Sequence, residues 1–370
     1  MVRGGRNGII IAGGGLAGCL AALALAKRRP EVPLLLVEES DRFGSGRTWT
    51  FFDDELEEEE RALIAPLVSQ SWPGYYAAFP GHSRNLKAAC HAVRGEDLDA
   101  ALRAALLPEQ YRLDTKVVAV RDDEIVLLGG VHIKAMGAID ARGPANLSLL
   151  QLGWRRSAGR DNVLAAPHGL DRPVLADATV GQADGLRFMQ CLPFGERALR
   201  IEDVLYSERP EAEQPSAAER LDAYAGLRGW KIESSGEEEV RSLPIALGGD
   251  FSAFWRVGGA RVAKLGYRGG FFHPGSGNSL ADAVRTALML ADQRDFAGAA
   301  LHDFFEAEAA NLWRKREFYR GFNRTFFHGT ADERLAAWRD FYKLDPGLIA
   351  RFWSGRLGLL ERMKFGKLGK

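Results

Sequence analysis

The sequence predicts an α/β fold: a Rossmann-like domain carrying a β-rich insertion and followed by a helical C-terminal region. Three observations predict it. A glycine-rich turn joins a short apolar strand to a helix near the start of the chain. Short strands crowd the middle, and from Ala281 onward the pattern is helical.

Ile9-Ile10-Ile11 reads as a buried strand, Leu16 to Arg28 as a helix, and Leu34-Leu35-Leu36-Val37 as a second buried strand ending at Glu38. Such a βαβ unit of about 30 residues implies a parallel sheet with a right-handed crossover. Its turn is Gly13-x-Gly15-x-x-Gly18. Gly13 permits the tight turn, Gly15 lets a pyrophosphate approach the backbone, and Gly18 allows helix and strand to touch. The free N–H groups and dipole at the helix start attract phosphates. Glu38, 20 residues after Gly18, can accept both hydroxyls of an adenosine ribose and repels a phosphorylated one, so FAD or NAD fits better than NADP. The candidate cofactor-binding residues here are Gly13, Gly14, Gly15, Leu16, Ala17, Gly18 and Glu38. Arg3 and Arg6 ahead of the apolar run from Gly8 to Ala26 give a superficial likeness to a signal peptide, but the glycines suit a strand-turn-helix instead. No other stretch approaches the ~18 uninterrupted apolar residues of a spanning helix, which implies a soluble or peripheral protein.

Further along, the acidic run Asp53, Asp54, Glu55 and Glu57 to Glu60 reads as a solvated face or a helix start, and Asp97 to Leu106 as a helix. Strands follow at 117–121, 124–128, 131–134 and 136–140, separated by Asp122-Asp123 and Gly129-Gly130, the spacing of a meander or hairpins. Phe188–Phe194 and Ala198–Tyr206 form another strand pair, and Glu208 to Pro215 is a charged, proline-bearing connector. The expected organisation is a discontinuous cofactor domain (1–60, 95–150 and 255–300), a substrate-binding and catalytic domain (61–94 and 151–254), and a basic aromatic helical region (301–370).

Lys+Arg and Asp+Glu balance at 49 each, so there is no overall pull toward nucleic acid. Cys19, Cys90 and Cys191 form no CxxC pair, and three widely spaced cysteines suggest reduced thiols packed as small core residues in the cytosol. No metal-ligand set is read. The last sixty residues are different: 14 Lys+Arg against 6 Asp+Glu, with 12 aromatics. Such helices can lie at an anionic membrane surface with rings at the headgroup level. They can equally form a cap on the core, with Arg stems covering apolar surface.

The N-terminal fingerprint, and a meander ending in Ile139-Asp140-Ala141-Arg142-Gly143, resemble flavoprotein hydroxylases. In that superfamily a late glycine-rich loop closes over the isoalloxazine. The stretch 266–280 supplies such a loop, with Gly275, Gly277 and Asn278 as further candidate cofactor contacts. His273 fits either a catalytic role or shaping of the flavin face.

The chain as a whole resembles the bacterial lycopene β-cyclases. Arg47-Thr48-Trp49-Thr50-Phe51 is similar to the family's His-Thr-Trp-Ser-Phe, and Trp72-Pro73-Gly74-Tyr75, Phe79-Pro80 and Arg84-x-Leu86 continue the likeness. So do Asp177-Ala178-Thr179-Val180 with Gln182, Gly185-x-Arg187-Phe188, Leu192-Pro193-Phe194, Ile201-Glu202-Asp203, Leu243-Pro244-Ile245 and Phe272-His273-Pro274. Phe341-Tyr342-Lys343-Leu344 and the stretch Leu348-Ile349-x-Arg351-Phe352-Trp353-x-Gly355-Arg356-Leu357 resemble its C-terminal signature. Arg47 replaces a histidine, and Asn278 stands where the family usually has an aromatic residue.

The resemblance implies an isomerase of carotenoid biosynthesis that converts lycopene ψ-ends to β-ionone rings, through γ-carotene to β-carotene. It implies FAD in its reduced form, with NAD(P)H as reductant, although the reaction is not a net oxidation or reduction. An acid protonates C2, the neighbouring double bond attacks the cation, and C6 loses a proton. The Glu of Ile201-Glu202-Asp203 is the family's proposed acid, which assigns Glu202 that role. Strand alternation turns Asp203 the other way, where it can orient the strand, and Asp177 is a weaker supporting candidate. Burial is expected to keep the acid protonated. So apolar a substrate implies a cytoplasmic protein held at the inner face of the cell membrane. Two other readings share the fingerprint: a flavin-dependent hydroxylase or reductase of an apolar substrate, and a non-enzymatic flavin- and isoprenoid-binding membrane protein.

Overall fold

Ile9–Ala12 is apolar and buried throughout, as a central parallel strand must be. It pairs in parallel with Leu34–Val37 on one side and Gly137–Asp140 on the other. Tyr111–Arg112 and Ala263–Lys264 complete a five-stranded sheet. The computed structural model describes residues 8–182, 185–210, 216–259 and 261–365. Arg3 and Arg6, the last five residues of the 208–215 connector, and Lys367 and Lys370 of the tail lie outside them. The helix Leu16–Arg28 packs against Leu280–Ala291, and both share one core with the sheet.

The expected helix at 97–106 spans Gly95–Ala105. Val117–Val120, Glu124–Leu127 and His132–Lys134 form a separate antiparallel meander. The fourth expected strand does not extend it but enters the parallel sheet. Asp122-Asp123 and Gly129-Gly130 supply the turns of two hairpins, the glycines at φ +98° and +83°, and no such turn follows Lys134.

An eight-stranded sheet forms the second layer of the molecule. Leu186–Pro193 and Ala198–Ser207 pair antiparallel as expected. The latter also pairs along its length with Leu150–Leu164, which in turn pairs with Glu239–Gly249. A small sheet of Thr48–Phe52, Cys90–Arg94 and Gln70–Trp72 joins one strand from the first sixty residues to two from 61–94.

One sequence expectation is corrected, and one choice between two readings is resolved. Asp53, Asp54 and Glu57 to Glu59 are solvated, and Glu58–Ile64 is the expected helix, but Glu55 is buried. The tail's rings are not a surface belt. Tyr319, Phe326, Phe341 and Phe352 are buried in one core with Phe188 and Tyr206 of the large sheet. Its arginines are drawn in with them: Arg316 pairs with Asp282 at 2.6 Å, and Arg320 lies 3.8 Å over Trp313. Among the described residues, the large apolar side chains exposed in the tail are Leu359, Leu360 and Met363, on the helix Leu359–Phe365. Cys19, Cys90 and Cys191 are free and buried. Among the described residues no helix is long and apolar enough to cross a membrane.

A Cβ on Gly18 would stand 1.9 Å from the Gly13 carbonyl oxygen, whereas one on Gly15 would meet nothing within 4 Å. Gly18→Ala is therefore expected to cost at least about 2 kcal/mol through forced separation of helix and strand, and Gly15→Ala much less. Thermal unfolding of the two variants side by side checks this; equal melting temperatures contradict it.

Candidate active site

Two cavities meet where the parallel sheet faces the large antiparallel sheet. The first, about 340 Å³, lies over the glycine turn and is lined by Gly13, Gly15, Leu16, Ala17, Val37 and Glu38, with Ala141 to Pro144 and Gly266-Tyr267 opposite. The glycines divide the work. Gly13, at φ +107°, makes the turn, and its Cβ would strike Ala141. Gly14 lies against Phe43 and Glu38, and Gly18 admits the strand. Gly15 alone faces open space, at the N-terminus of Leu16–Arg28. There the first helical amides have no carbonyl one turn back. Open volume above a glycine with free amides beside it suits a pyrophosphate. Glu38 is held in place by the amides of Gly14 (2.5 Å) and Ser40 (3.0 Å), with its side chain on the cleft wall. The residues present thus fit a dinucleotide.

The second cavity, about 510 Å³, shares Arg47, Trp49, Pro144 and Tyr267 with the first. Leu175, Phe188, Leu192, Leu243, Trp338 and Trp353 give it apolar walls, and Glu202 and Tyr206 line it from one strand. Those two are four residues apart, so they share a face of Ala198–Ser207. Gly159 stands opposite Glu202, and any Cβ there would lie 2.4 Å from its Cγ. That glycine leaves room for the carboxylate.

Glu202 is buried, yet it is surrounded by cations. Arg200 Nε donates to its Oε1 at 2.6 Å, while the other two nitrogens of Arg200 reach Glu239 at 2.9 Å and Asp161 at 3.3 Å. Arg155 and Arg241 line the same wall. Burial by itself raises the Glu202 carboxyl, but the charges of Arg200, Arg241 and Arg155 bring it below the ordinary carboxylate value. Glu202 is therefore ionised at neutral pH, and the expectation that burial keeps it protonated is corrected. Asp203 does point away, into ion pairs with Arg187 (2.8 Å) and Arg220. Asp177 also lies off the chamber, accepting from Tyr224 at 2.7 Å and from Thr179.

Asn278 lines the chamber, and its Nδ2 donates to the Thr50 carbonyl at 2.7 Å, tying the late loop to Thr48–Phe52. Gly277, at φ +69°, packs against Leu243 and Pro244, and Gly275 contacts the aromatic core through Tyr206 and Phe352. His273 is a positioning group. Its Nδ1 accepts from the Gly275 and Ser276 amides at 3.2 and 3.3 Å, and its Nε2 donates to the Phe352 carbonyl at 3.2 Å. Burial and nearby Arg316 lower it to about 3, so it stays neutral.

Sequence reasoning missed Arg155, Arg200, Glu239 and Arg241. Arg200 carried a legible signal, since a residue two before Glu202 on a strand must share its face. It also missed Glu55, whose acidic neighbours concealed it.

Comparison with known proteins now bears on this geometry. A family model described as lycopene cyclase protein matches residues 8–368. A lycopene beta-cyclase of Pantoea ananas is 35% identical over 357 residues, covering 96% of this chain and 93% of that protein. One from a Paracoccus species is 34% identical over 362 residues, covering 96% and 92%. Among solved structures, a geranylgeranyl bacteriochlorophyll reductase-like protein from Thermoplasma acidophilum superposes with a TM-score of 0.64 at 13% identity, covering 97% of this chain and 95% of that one. The flavin-dependent brominase Bmp2 does so at 0.61 and 13%, covering 97% and 96%. The structural likenesses establish a flavoprotein-like α/β fold. With the sequence matches running through nearly its whole length, the chain belongs to the lycopene cyclase family.

Proposed function

We propose that this chain is a lycopene β-cyclase that closes ψ-ends to β-ionone rings with FAD seated over the glycine turn. One observation carries the reading: a buried carboxylate, Glu202, on the charged face of a chamber whose other walls are aromatic and aliphatic and which opens onto a dinucleotide cleft. Gly13 to Gly18 and Glu38 hold the dinucleotide, and Tyr267, Arg47 and Trp49 stand where cleft and chamber meet. Reduced FAD, when bound there, supplies negative charge beside a developing carbocation. The apolar walls receive the end group and exclude water, and Trp338 and Trp353 present rings that favour a passing positive charge. Glu202, fixed by Arg200, takes up the C6 proton as a carboxylate. NAD(P)H is the proposed source of reducing equivalents.

The substrate resides in lipid, and we place the protein at the inner face of the cell membrane. Leu359, Leu360 and Met363, each at least 65% exposed, share a short helix with Arg362 and Lys364. That combination suits insertion among anionic headgroups.

Gly15→Val fills the open space above the turn, so the purified variant folds but lacks bound flavin absorbance; a normal flavin spectrum contradicts the placement. With reduced FAD and no oxygen, the wild type turns over lycopene many times without consuming NADH in step, and Glu202→Gln lowers the rate by ~10²–10⁴ while remaining folded. Asp203→Asn instead weakens a buried ion-pair set and should cost about 3 kcal/mol. Chromatography of the pigments and melting curves separate the two variants, and near-wild-type β-carotene from Glu202→Gln sinks the assignment. Finally, vesicles containing anionic lipid retain the protein better than neutral ones, and replacing Leu359, Leu360 and Met363 together by serine abolishes the difference. Unchanged sedimentation of that variant means the helix is not the anchor.

A further inference from the structure

Glu55 is a further carboxyl group on the chamber wall, which also carries Glu202 and Glu239. It lies in the turn after Thr48–Phe52, is 6% exposed, and lines the same cavity as Glu202, beside Thr50, Asn278 and Trp353. Its Oε1 accepts one backbone hydrogen bond, from Phe52 N at 3.0 Å.

The cations near it are committed elsewhere. Arg285 binds Glu60 at 3.1 Å, Asp282 at 3.5 Å and the backbone carbonyl of Glu55, leaving the Glu55 carboxyl outside its ion pairs. Arg316 grips Asp282 through two nitrogens at 2.6 and 2.8 Å. Glu202 has the opposite surroundings, with Arg200 bonded to it and two further arginines on its wall. Three carboxyl groups thus line one cavity: Glu202 and Glu239 are bonded to arginines, and Glu55 has none bonded to its carboxyl group.

We propose that Glu55 is the proton donor of the chamber and that Glu202 is the matching acceptor. This division of roles rests on the cyclase reading given above. The Glu55 O–H bond breaks as the C1–C2 π pair forms a C2–H bond. The C5–C6 π pair then closes C1–C6, leaving the cation at C5. The C6–H bond breaks, its electron pair becomes the ring double bond, and the proton passes to Glu202. No electron enters or leaves, and exchange with solvent between turnovers returns the proton from Glu202 to Glu55.

The electrostatics agree with the geometry. Burial lifts Glu55 to about 8, against the lowering by the Phe52 amide, Arg285 and Arg316, and with a further raising by Asp282. Three neighbouring groups are held away from that pH. Arg316 holds Asp282 below the ordinary carboxylate value, His273 is neutral above about 3, and burial carries the Cys90 thiol far above its usual range. A pair of acids pushed apart in this way assigns donor and acceptor.

The test uses the full-length wild type, Glu55→Gln and Glu202→Gln, each with FAD bound, in an anaerobic assay with lycopene in lipid vesicles. Glu55→Gln is expected to lose ~10²–10⁴ in rate with flavin content and melting temperature kept. The wild-type rate should hold through neutrality and then fall about tenfold per pH unit above about 8. Infrared spectra at pH 7 give a readout independent of turnover. The wild type and Glu202→Gln should show the carbonyl stretch of a buried carboxylic acid, and Glu55→Gln should lack it. Should Glu55→Gln not fold, the wild-type band must still disappear as pH is raised through about 8. A wild type without that band at pH 7, or a folded Glu55→Gln cyclising at near the wild-type rate, overturns the proposal while leaving the cyclase reading intact. Failure of the wild type to form rings at all overturns the cyclase reading itself.

Discussion

The site depends on one arrangement: the Arg200 guanidinium buried beside Glu202 on the strand Ala198–Ser207. A carboxylate and a guanidinium in a nearly dry interior each carry a large desolvation cost, which only close pairing offsets. The rest of the large sheet is shaped around that pairing. Gly159 gives up its side chain so that the Glu202 stem can pass, and Glu239 and Asp161 absorb the remaining donors of Arg200. Arg241 is anchored to the Thr48 carbonyl at 3.1 Å, which ties the charged wall to the strand bordering both cavities. The polar face of the chamber is therefore rigid, while its other walls are aromatic and aliphatic. That suits a reaction that makes a cation from a hydrocarbon.

Much of the first layer was legible because its signals are local. Strand, turn, helix and strand follow within about thirty residues, and each glycine answers a steric demand visible in the pattern. The second layer was harder to read. Leu150–Leu164 holds Arg155, Arg156, Arg160 and Asp161, which break the apolar alternation of a half-buried strand. Arg155 lines the charged cavity wall and Asp161 on the same face pairs with Arg200, while Arg160 turns the other way to Asp222, placements that local periodicity cannot express. Glu55 was hidden for a related reason. It sits in a run of acids whose other members are mostly solvated, and only the fold turns this one inward.

The tail teaches the same lesson from the opposite side. Charge and aromatic content looked like an interfacial belt, but rings and arginines are also the means of closing a large cavity from outside. Trp338, Tyr342 and Trp353 reach the chamber, while Phe341, Phe352 and Phe365 pack behind them. His273 links this cap to the late loop through the Phe352 carbonyl. The two departures from the family pattern lie at the seams of this assembly. Asn278 bonds the loop to Thr50, a contact that phenylalanine could not make, and Arg47 stands exposed between cleft and chamber.

A cyclase needs both a proton to give and a place to receive one, and two carboxyl groups held in opposite protonation states supply both before the reaction starts. Glu55 and Glu202 differ in what surrounds them rather than in chemical type. Asp282 and Glu60 occupy the guanidinium groups of Arg316 and Arg285, so the nearest positive charges do little to ionise Glu55. Glu239 and Asp161 share the arginines around Glu202, yet Arg200 is bonded directly to it and Arg155 and Arg241 add their charge. The pattern of ion pairs outside the cavity therefore sets the protonation states inside it. The direction of proton flow through the end group follows from that pattern, with no need for a pH-sensing residue or a moving part.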